Sequence, residues 1–203
     1  MSRTLHSPIA VIEWSASGCT LFDPVAKAIK ETPTLASAAQ IVGEGREVLI
    51  ALSRRSSFVR TTRLPDAQKA DVAKFLSLQA GQLFPVESTE VAIDFLMTDS
   101  VTNEGRMAVV AAIPTDVLRK VRLEAKDAGL NVYAIVPVAL GSELLARQLG
   151  KAEAVIIHET REGIALDIIE EAHLRSARVV KPLREEGALA NEIGATLASL
   201  KLP

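Results

Sequence analysis

The chain has 203 residues, of which 48% are hydrophobic, 3% are aromatic and 24% are charged, and its formal net charge is -2. The near-neutral charge and the scarcity of aromatic rings argue against a nucleic-acid-binding protein, which needs a basic surface and often stacks bases on rings. No stretch approaches the roughly 18 consecutive apolar residues of a membrane span, and no signal-peptide pattern is present, so we expect a soluble, cytoplasmic protein.

The chain contains a single cysteine, Cys19. One thiol cannot form an internal disulfide, and a core built from Ala, Val and Leu instead of cysteine bridges is typical of a reducing compartment. Cys19 lies in an apolar strand, so burial as a small side chain is favoured over a reactive thiol.

The first predicted elements are the two strands of a hairpin, at residues 9–15 and 19–23. Turns of this shape at the head of a domain often cradle a phosphate, because successive backbone N–H groups point into them. A short helix is predicted next, with Thr34 as its N-terminal cap and Gly43 as its stop.

Two further strands are predicted at residues 47–53 and 57–64, separated by a polar turn that contains Arg54 and Arg55. We interpret this arginine pair as a solvated turn. The alternative is a contact with a phosphate or a lipid.

Residues 66–150 are predicted as helix, strand, strand, helix, strand and helix, an order that suits a small α+β module with helices on one face of its sheet. Pro65 and Asp66 open the first of these helices as entry and cap. Thr115 is predicted to cap the second helix, and Gly129 to end it in a left-handed conformation.

From residue 152 the pattern of the N-terminus returns, with a second hairpin, a third strand and a helix over residues 185–200. The sequence Ala-Val-Ile begins both hairpins, at 10–12 and at 154–156, and Gly18 and Gly163 fall in their turns. This indicates an internal repeat of structural pattern.

No catalytic constellation emerges from the sequence. Residues 158–162 (HETRE) share the start of a zinc-protease motif but lack its second histidine and lie in a predicted strand and turn. Asp94 and Asp167 are single carboxylates in apolar strands. Either could act as a base, but we interpret both as strand-edge or satisfied core residues and predict no enzyme.

Residues 47–147 carry a series of blocks in a recognisable order. Arg60 and Pro65 form an Arg-x-x-x-x-Pro phrase, and Ala128-Gly129-Leu130 precedes a strand and a helix that ends near Arg147. Between them, a helix end and a strand are marked by Pro85, Glu90, Val91, Asp94 and Phe95. This series resembles the PilM-like cytoplasmic proteins of the type IV pilus inner-membrane platform, and the related GspL cytoplasmic domain of type II secretion.

The resemblance implies an α/β, actin-like (ribonuclease H-like) fold with an inserted small α+β module. Residues 1–65 would form the first actin-like subdomain and residues 66–150 the inserted module. Residues 151–203 would begin a second half that is incomplete here, and bare sheet edges would then favour self-association.

The resemblance also implies a function. The chain would be a non-enzymatic scaffold that binds the N-terminal cytoplasmic tail of a membrane-anchored, PilN-like partner and so lies peripheral to the inner membrane. We expect the tail to add to a sheet edge in a groove that contains Arg60, Phe84, Pro85 and Asp94.

In the family a nucleotide, where bound, lies between the two halves, but the expected Asp, Gly and Lys of the first loop and Asp and Gly of the second are missing. We therefore predict a degenerate site, no metal and no bound cofactor. The degenerate positions are Glu13, Trp14, Ser15, Ser17, Gly18, Thr20, His158, Glu159 and Thr160. The alternative is an active nucleotide-binding protein, an ATPase in which Glu13 and either Glu159 or Asp167 serve ATP and Mg²⁺.

Overall fold

One mixed sheet, one antiparallel sheet and the helices that cover them make up the computed structural model, which describes residues 9–65, 67–85, 90–102, 105–181 and 187–200. The strands are β1 (Ala10–Ser15), β2 (Gly18–Asp23), β3 (Ala28–Thr32), β4 (Glu47–Leu52), β5 (Phe58–Leu64), β6 (Val91–Thr102), β7 (Gly105–Pro114), β8 (Asn131–Pro137), β9 (Ala154–Thr160), β10 (Gly163–Glu170) and β11 (His173–Val180). The helices are α1 (Leu35–Val42), α2 (Lys69–Leu83), α3 (Thr115–Asp127), α4 (Leu140–Gln148) and α5 (Ala188–Ser199).

The first sheet has the order β3-β2-β1-β4-β8. Strands β1, β2 and β3 are antiparallel neighbours, whereas β4 runs parallel to β1 and β8 parallel to β4. Alternate side chains of β1 face the core under α1 and α3, where Ile12 and Ile50 are fully buried. Cys19 is buried in this core, as predicted, and burial raises the pKa of its thiol to about 11.

The second sheet has the order β6-β7-β5-β11-β10-β9. Helix α2 covers one part of it through a cluster that includes Leu64 and Leu76, and α4 covers another part through a cluster that includes Ala146 and Leu174. The two parts meet where β11 pairs with β5 at Ser176 and Arg60.

Most predicted elements are present, and the local signals behave as expected at two helix ends. The Thr34 hydroxyl accepts a hydrogen bond from the Ser37 N–H at 3.1 Å, and Gly129 ends α3 with φ +68°. Strand β3 has no counterpart in the prediction, because four of its five residues are exposed or half-buried and show no apolar alternation.

The prediction for Thr115 was wrong, since it is the first residue of α3 and not its cap. Its hydroxyl donates instead to the carbonyl of Glu90 at 3.1 Å, which ties the helix to the start of β6. Asp66 lies outside the described residues, as do residues 182–186, which include the first two residues of the last predicted helix.

The division of the chain at residues 65 and 150 stays a prediction, and three strand pairings cross it, namely β5 with β7, β5 with β11, and β4 with β8. Strand β5 lies before the first boundary but pairs with β7, while β8 lies between the boundaries but pairs with β4 in the first sheet. The chain therefore leaves the first sheet at β5 and returns with α3 and β8. Among the described residues, no helix is long and apolar enough to cross a bilayer.

Candidate functional site

The β1–β2 and β9–β10 hairpins have the same turn. The Ser15 hydroxyl donates to the Gly18 carbonyl at 2.9 Å and accepts from the N–H two residues on at 3.3 Å. The Thr160 hydroxyl donates to the Gly163 carbonyl at 2.9 Å and accepts from the N–H two residues on at 3.1 Å. Both glycines have positive φ, +135° and +137°, where a side chain would be strained. The predicted structural repeat is therefore confirmed.

The two hairpins face each other across a cleft of about 350 Å³. Six of the predicted phosphate-loop positions line it: Glu13, Ser15, Gly18, Thr20, Glu159 and Thr160. Four carboxylates and two guanidinium groups give the cleft its charge, namely those of Glu13, Glu31, Glu159, Glu162, Arg54 and Arg161. The charged side chains that line the cleft are therefore net negative.

Three predicted positions do not line the cleft. Trp14 is buried on the other face of the first sheet, where its indole N–H donates to the Glu124 carboxylate at 3.0 Å and the Lys120 ammonium lies 5.6 Å from the ring centroid. Ser17 is exposed at the tip of its turn. His158 is the third position outside the cleft lining. Partial burial lowers the pKa of its imidazole, and the Arg54 charge lowers it further.

Arg161 crosses the cleft from the second hairpin to the first. Its guanidinium donates to the Cys19 carbonyl at 3.2 Å and lies 2.9 Å from the Glu31 carboxylate. A Cβ atom on Gly18 would come within 2.9 Å of the same guanidinium. The closest approach of the two hairpins is therefore filled by a side chain of the protein itself.

Arg54 makes a second link between the halves, and its interpretation as part of a solvated turn was wrong. Its side chain is 2% exposed, and its Nε donates to the Asp167 carboxylate at 2.8 Å while Nη2 contacts the other carboxylate oxygen. The Ser142 hydroxyl donates to that oxygen as well. Asp167 is thus a satisfied core residue, as predicted, and its oxygens are occupied.

Glu13 is held near these charges in a partly buried position. Burial is the main reason that its pKa is raised; the Arg54 charge opposes this shift and the Glu162 charge adds to it. The folded protein therefore binds the Glu13 proton more tightly than the unfolded chain does. By linkage, this group makes the protein less stable as the pH rises from the normal glutamate pKa through the raised one.

We expect Glu13→Gln to raise the melting temperature at pH 7, because the buried charge is removed while the shape is kept. The gain should disappear near pH 4, where the wild-type carboxyl is itself protonated. Thermal unfolding of both proteins between pH 4 and pH 8 measures this difference, and a constant difference across that range would contradict it.

A larger, mostly apolar groove of about 1350 Å³ lies between the first sheet and the β6–β7 part of the second. Consecutive residues line it along residues 92–96 of β6 and along all of β8, but only alternate residues line it on β7. Since β6 and β8 are the outermost strands of their sheets, the groove is bounded by two strand edges and floored by one face of β7.

The side chains at the groove are unusually apolar for a surface. Leu96 of β6 and Leu144 of α4 are both 68% exposed, and Tyr133 of β8 is 44% exposed. Ala92, Asp94 and Leu96 face the groove, because the residues between them pack under α2. An exposed apolar surface of this kind marks a binding site more often than an ordinary surface.

The groove contains one of the four residues that were predicted to bind a partner, Asp94. Arg60 donates instead to the Leu83 carbonyl at 3.1 Å, and Phe84 is 5% exposed and packs on Phe58 with ring centroids 6.2 Å apart. Pro85 follows Phe84 at the end of α2, outside the groove lining. A partner role for these three residues stays a prediction, and Phe84 offers little surface to a partner.

The two matching hairpins face each other across the cleft within a two-sheet α/β fold, which is the actin-like fold, as predicted. No protein-family model and no curated protein sequence matches the chain, but solved structures do. A chain of the PilM–PilN type IV pilus biogenesis complex is similar with a TM-score of 0.66 and 20% identity, over 96% of this chain and 66% of that one. Our chain thus spans about two thirds of the length of that relative.

Two other solved structures share the fold. The cytoplasmic domain of EpsL, an inner-membrane component of the type II secretion system of Vibrio cholerae, has a TM-score of 0.59 and 11% identity, over 84% of this chain and 71% of that one. A protein of unknown function with an actin-like ATPase fold, from Bacteroides thetaiotaomicron, has a TM-score of 0.53 and 10% identity, over 96% and 77%.

Proposed function

We propose that this chain is a non-enzymatic scaffold of a type IV pilus or type II secretion-like assembly. It holds the N-terminal cytoplasmic tail of a membrane-anchored, PilN-like partner in the groove between β6 and β8. The observation that carries this proposal is the apolar groove with a strand edge on each side. An extended peptide can bind such an edge through backbone hydrogen bonds and fill the groove with its side chains.

The free edge of β8 has backbone groups for this purpose. The Val138 N–H donates to the Leu52 carbonyl at 2.8 Å, so alternation directs the backbone N–H and C=O of Ile135 away from β4. Pro137 lies on the same free side and has no N–H, a position in which proline is tolerated in a sheet. An added strand would therefore pair with the Ile135 N–H and the carbonyls of Ile135 and Pro137.

The cleft between the hairpins supports the non-enzymatic part of the proposal. A nucleotide phosphate would have to displace Arg161 from the Cys19 carbonyl and from Glu31 and then lie among carboxylates. The Asp167 carboxylate, an alternative metal ligand, is already occupied by Arg54 and Ser142. An ATPase would need each of these contacts rearranged, so the scaffold is the function that the geometry supports best.

The scaffold would lie on the cytoplasmic side of the inner membrane, held there by its partner. The similarity to the EpsL cytoplasmic domain, an inner-membrane component of its own system, supports this location, as does the PilM–PilN complex.

Calorimetric titration tests the proposal with a synthetic peptide that has the sequence of the N-terminal cytoplasmic tail of a PilN-like membrane protein. We expect one site per chain with a Kd of about 1–100 μM, as is usual for a short tail in a groove. The same peptide in reversed order is the control. Titration with ATP and Mg²⁺ should release no heat. Tight ATP binding without peptide binding would favour the ATPase instead.

A further inference from the structure

The groove has two chemically different ends. At the start of β8 it is lined by Arg122 and Lys126, which project from α3 and are exposed. At the finish of β8 it is lined by Pro137, Leu140 and Leu144, which are apolar. A segment that lies along β8 therefore meets cations at one end and hydrocarbon at the other.

The two cations at the basic end have no ionic partner in the part of the chain that the structure describes. Among the described residues neither Arg122 nor Lys126 forms an ion pair, whereas Lys120 on the same helix lies 3.9 Å from Glu124. Arg122 and Lys126 are four positions apart on one face of α3, where like charges repel and destabilise the helix. A carboxylate between them would relieve this repulsion.

The carboxylates that line the groove do not meet that need. Glu143 accepts the Leu174 N–H at 2.8 Å and forms an ion pair with Arg147 at 2.8 Å. Asp94 is on β6 and accepts the N–H of Phe95 at 2.9 Å. The negative charge that Arg122 and Lys126 lack is therefore left for an occupant to supply.

We infer that the segment bound in the groove has an apolar stretch flanked on one side by one or two acidic residues, and that these residues lie against Arg122 and Lys126. This inference rests on the proposed function and adds the chemistry of the tail. Strand β8 has seven residues, so an occupant paired with it spans about 20 Å. Charge complementarity at one end then fixes which way the segment lies in an otherwise apolar groove.

The geometry favours a peptide over other anions. Three cations line the groove, Arg122 and Lys126 at its basic end and Lys69 over the Phe95 ring. The pair at the basic end suits one or two carboxylates, whereas a nucleic acid or an anionic membrane surface needs a wider basic patch. The strand edges offer hydrogen bonds to a backbone along the same floor. A peptide with an acidic end satisfies both parts of the groove.

Selection from a phage-displayed library of random twelve-residue peptides tests the inference without knowledge of the partner. The full chain is the bait, and peptides that compete with one another for one site are sequenced. We expect apolar peptides with Asp or Glu beside one end of the apolar stretch. Selection on the Arg122→Glu variant should lose this preference or enrich Lys and Arg instead.

Affinities of one selected peptide make the result quantitative. Arg122→Glu should weaken binding by about tenfold or more, and the wild-type affinity should fall as salt is added. Arg122→Lys should keep most of it. Arg119→Glu is the matched control, since it makes the same charge change on an exposed position of α3 outside the groove lining.

Three outcomes would overturn the inference: selected peptides with no acidic bias, peptides with a basic bias, or equal losses for Arg122→Glu and Arg119→Glu. Failure of the proposed function gives a different result. No peptide is then enriched, or the enriched peptides compete with ATP and Mg²⁺ for the hairpin cleft and bind the groove variants as well as the wild type. If the chain sedimented with phosphatidylglycerol vesicles and this binding depended on Arg122 and Lys126, the result would also count against a peptide occupant.

Discussion

Asp167→Ala is expected to lower the free energy of unfolding by about 3–5 kcal/mol, the cost of leaving one member of a buried ion pair without its partner. Arg54 is 2% exposed in its side chain, and Asp167 is 0% exposed. Without the carboxylate the guanidinium would remain buried with only the Ser142 hydroxyl nearby. Urea denaturation of the wild type and the variant measures the change.

The size of this effect depends on burial, and a surface pair provides the control. Arg178 and Glu192 join β11 to α5 with both side chains more than a third exposed, so Glu192→Ala should cost no more than about 1 kcal/mol. The double variant Arg54→Met with Asp167→Leu should be more stable than Asp167→Ala, because no charge is left buried. Equal effects for Asp167→Ala and Glu192→Ala would contradict a buried, essential link between the halves.

Ala111→Trp is expected to weaken binding of the partner's tail by about 100-fold or more while the fold is kept. Ala111 is on the β7 face that floors the groove, opposite Asp94 on the neighbouring strand. An indole there would occupy the space of the tail's side chains, and the groove is large enough to take it without overpacking the core. Titration with the same tail peptide measures the loss.

Ala36→Trp is the matched control for the groove variant. Ala36 is exposed on α1 and does not line the groove, so this change adds the same side chain elsewhere on the surface. Both variants should unfold at nearly the temperature of the wild type. If the folded Ala111→Trp protein bound the tail peptide with wild-type affinity, the tail site would lie outside the groove.

Local structure could be read from the sequence because its signals lie within a few residues. The two hairpin turns illustrate this, since Ser15 and Thr160 each sit three positions before a glycine and bond to its carbonyl. The order of the blocks, together with this repeat, was enough to predict the actin-like fold.

The contents of the site could not be read in the same way, because they depend on residues far apart in the chain. Arg54 looked solvated because its partner, Asp167, follows 113 positions later. Trp14 was placed with the cleft by its position in the first hairpin, but strand alternation directs it to the core under α3.

The groove shares one residue, Asp94, with the partner site predicted from the sequence. Its walls are the edges of β6 and β8, which become edges only once the two sheets are assembled. The sequence signal for this groove is the alternation of side chains along β6, where Asp94 and Leu96 face away from Phe95. Arg60 and Phe84, chosen for their place in the family's blocks, lie on the α2 side instead.

Amide hydrogen exchange with and without the tail peptide tests most directly whether the groove receives an added strand. We expect the Ile135 amide and amides at the free edge of β6 to exchange more slowly in the complex, while those of the two hairpin turns are unchanged. Slower exchange at the Gly18 and Gly163 turns, with no change along β8, would contradict strand addition and place the ligand in the cleft.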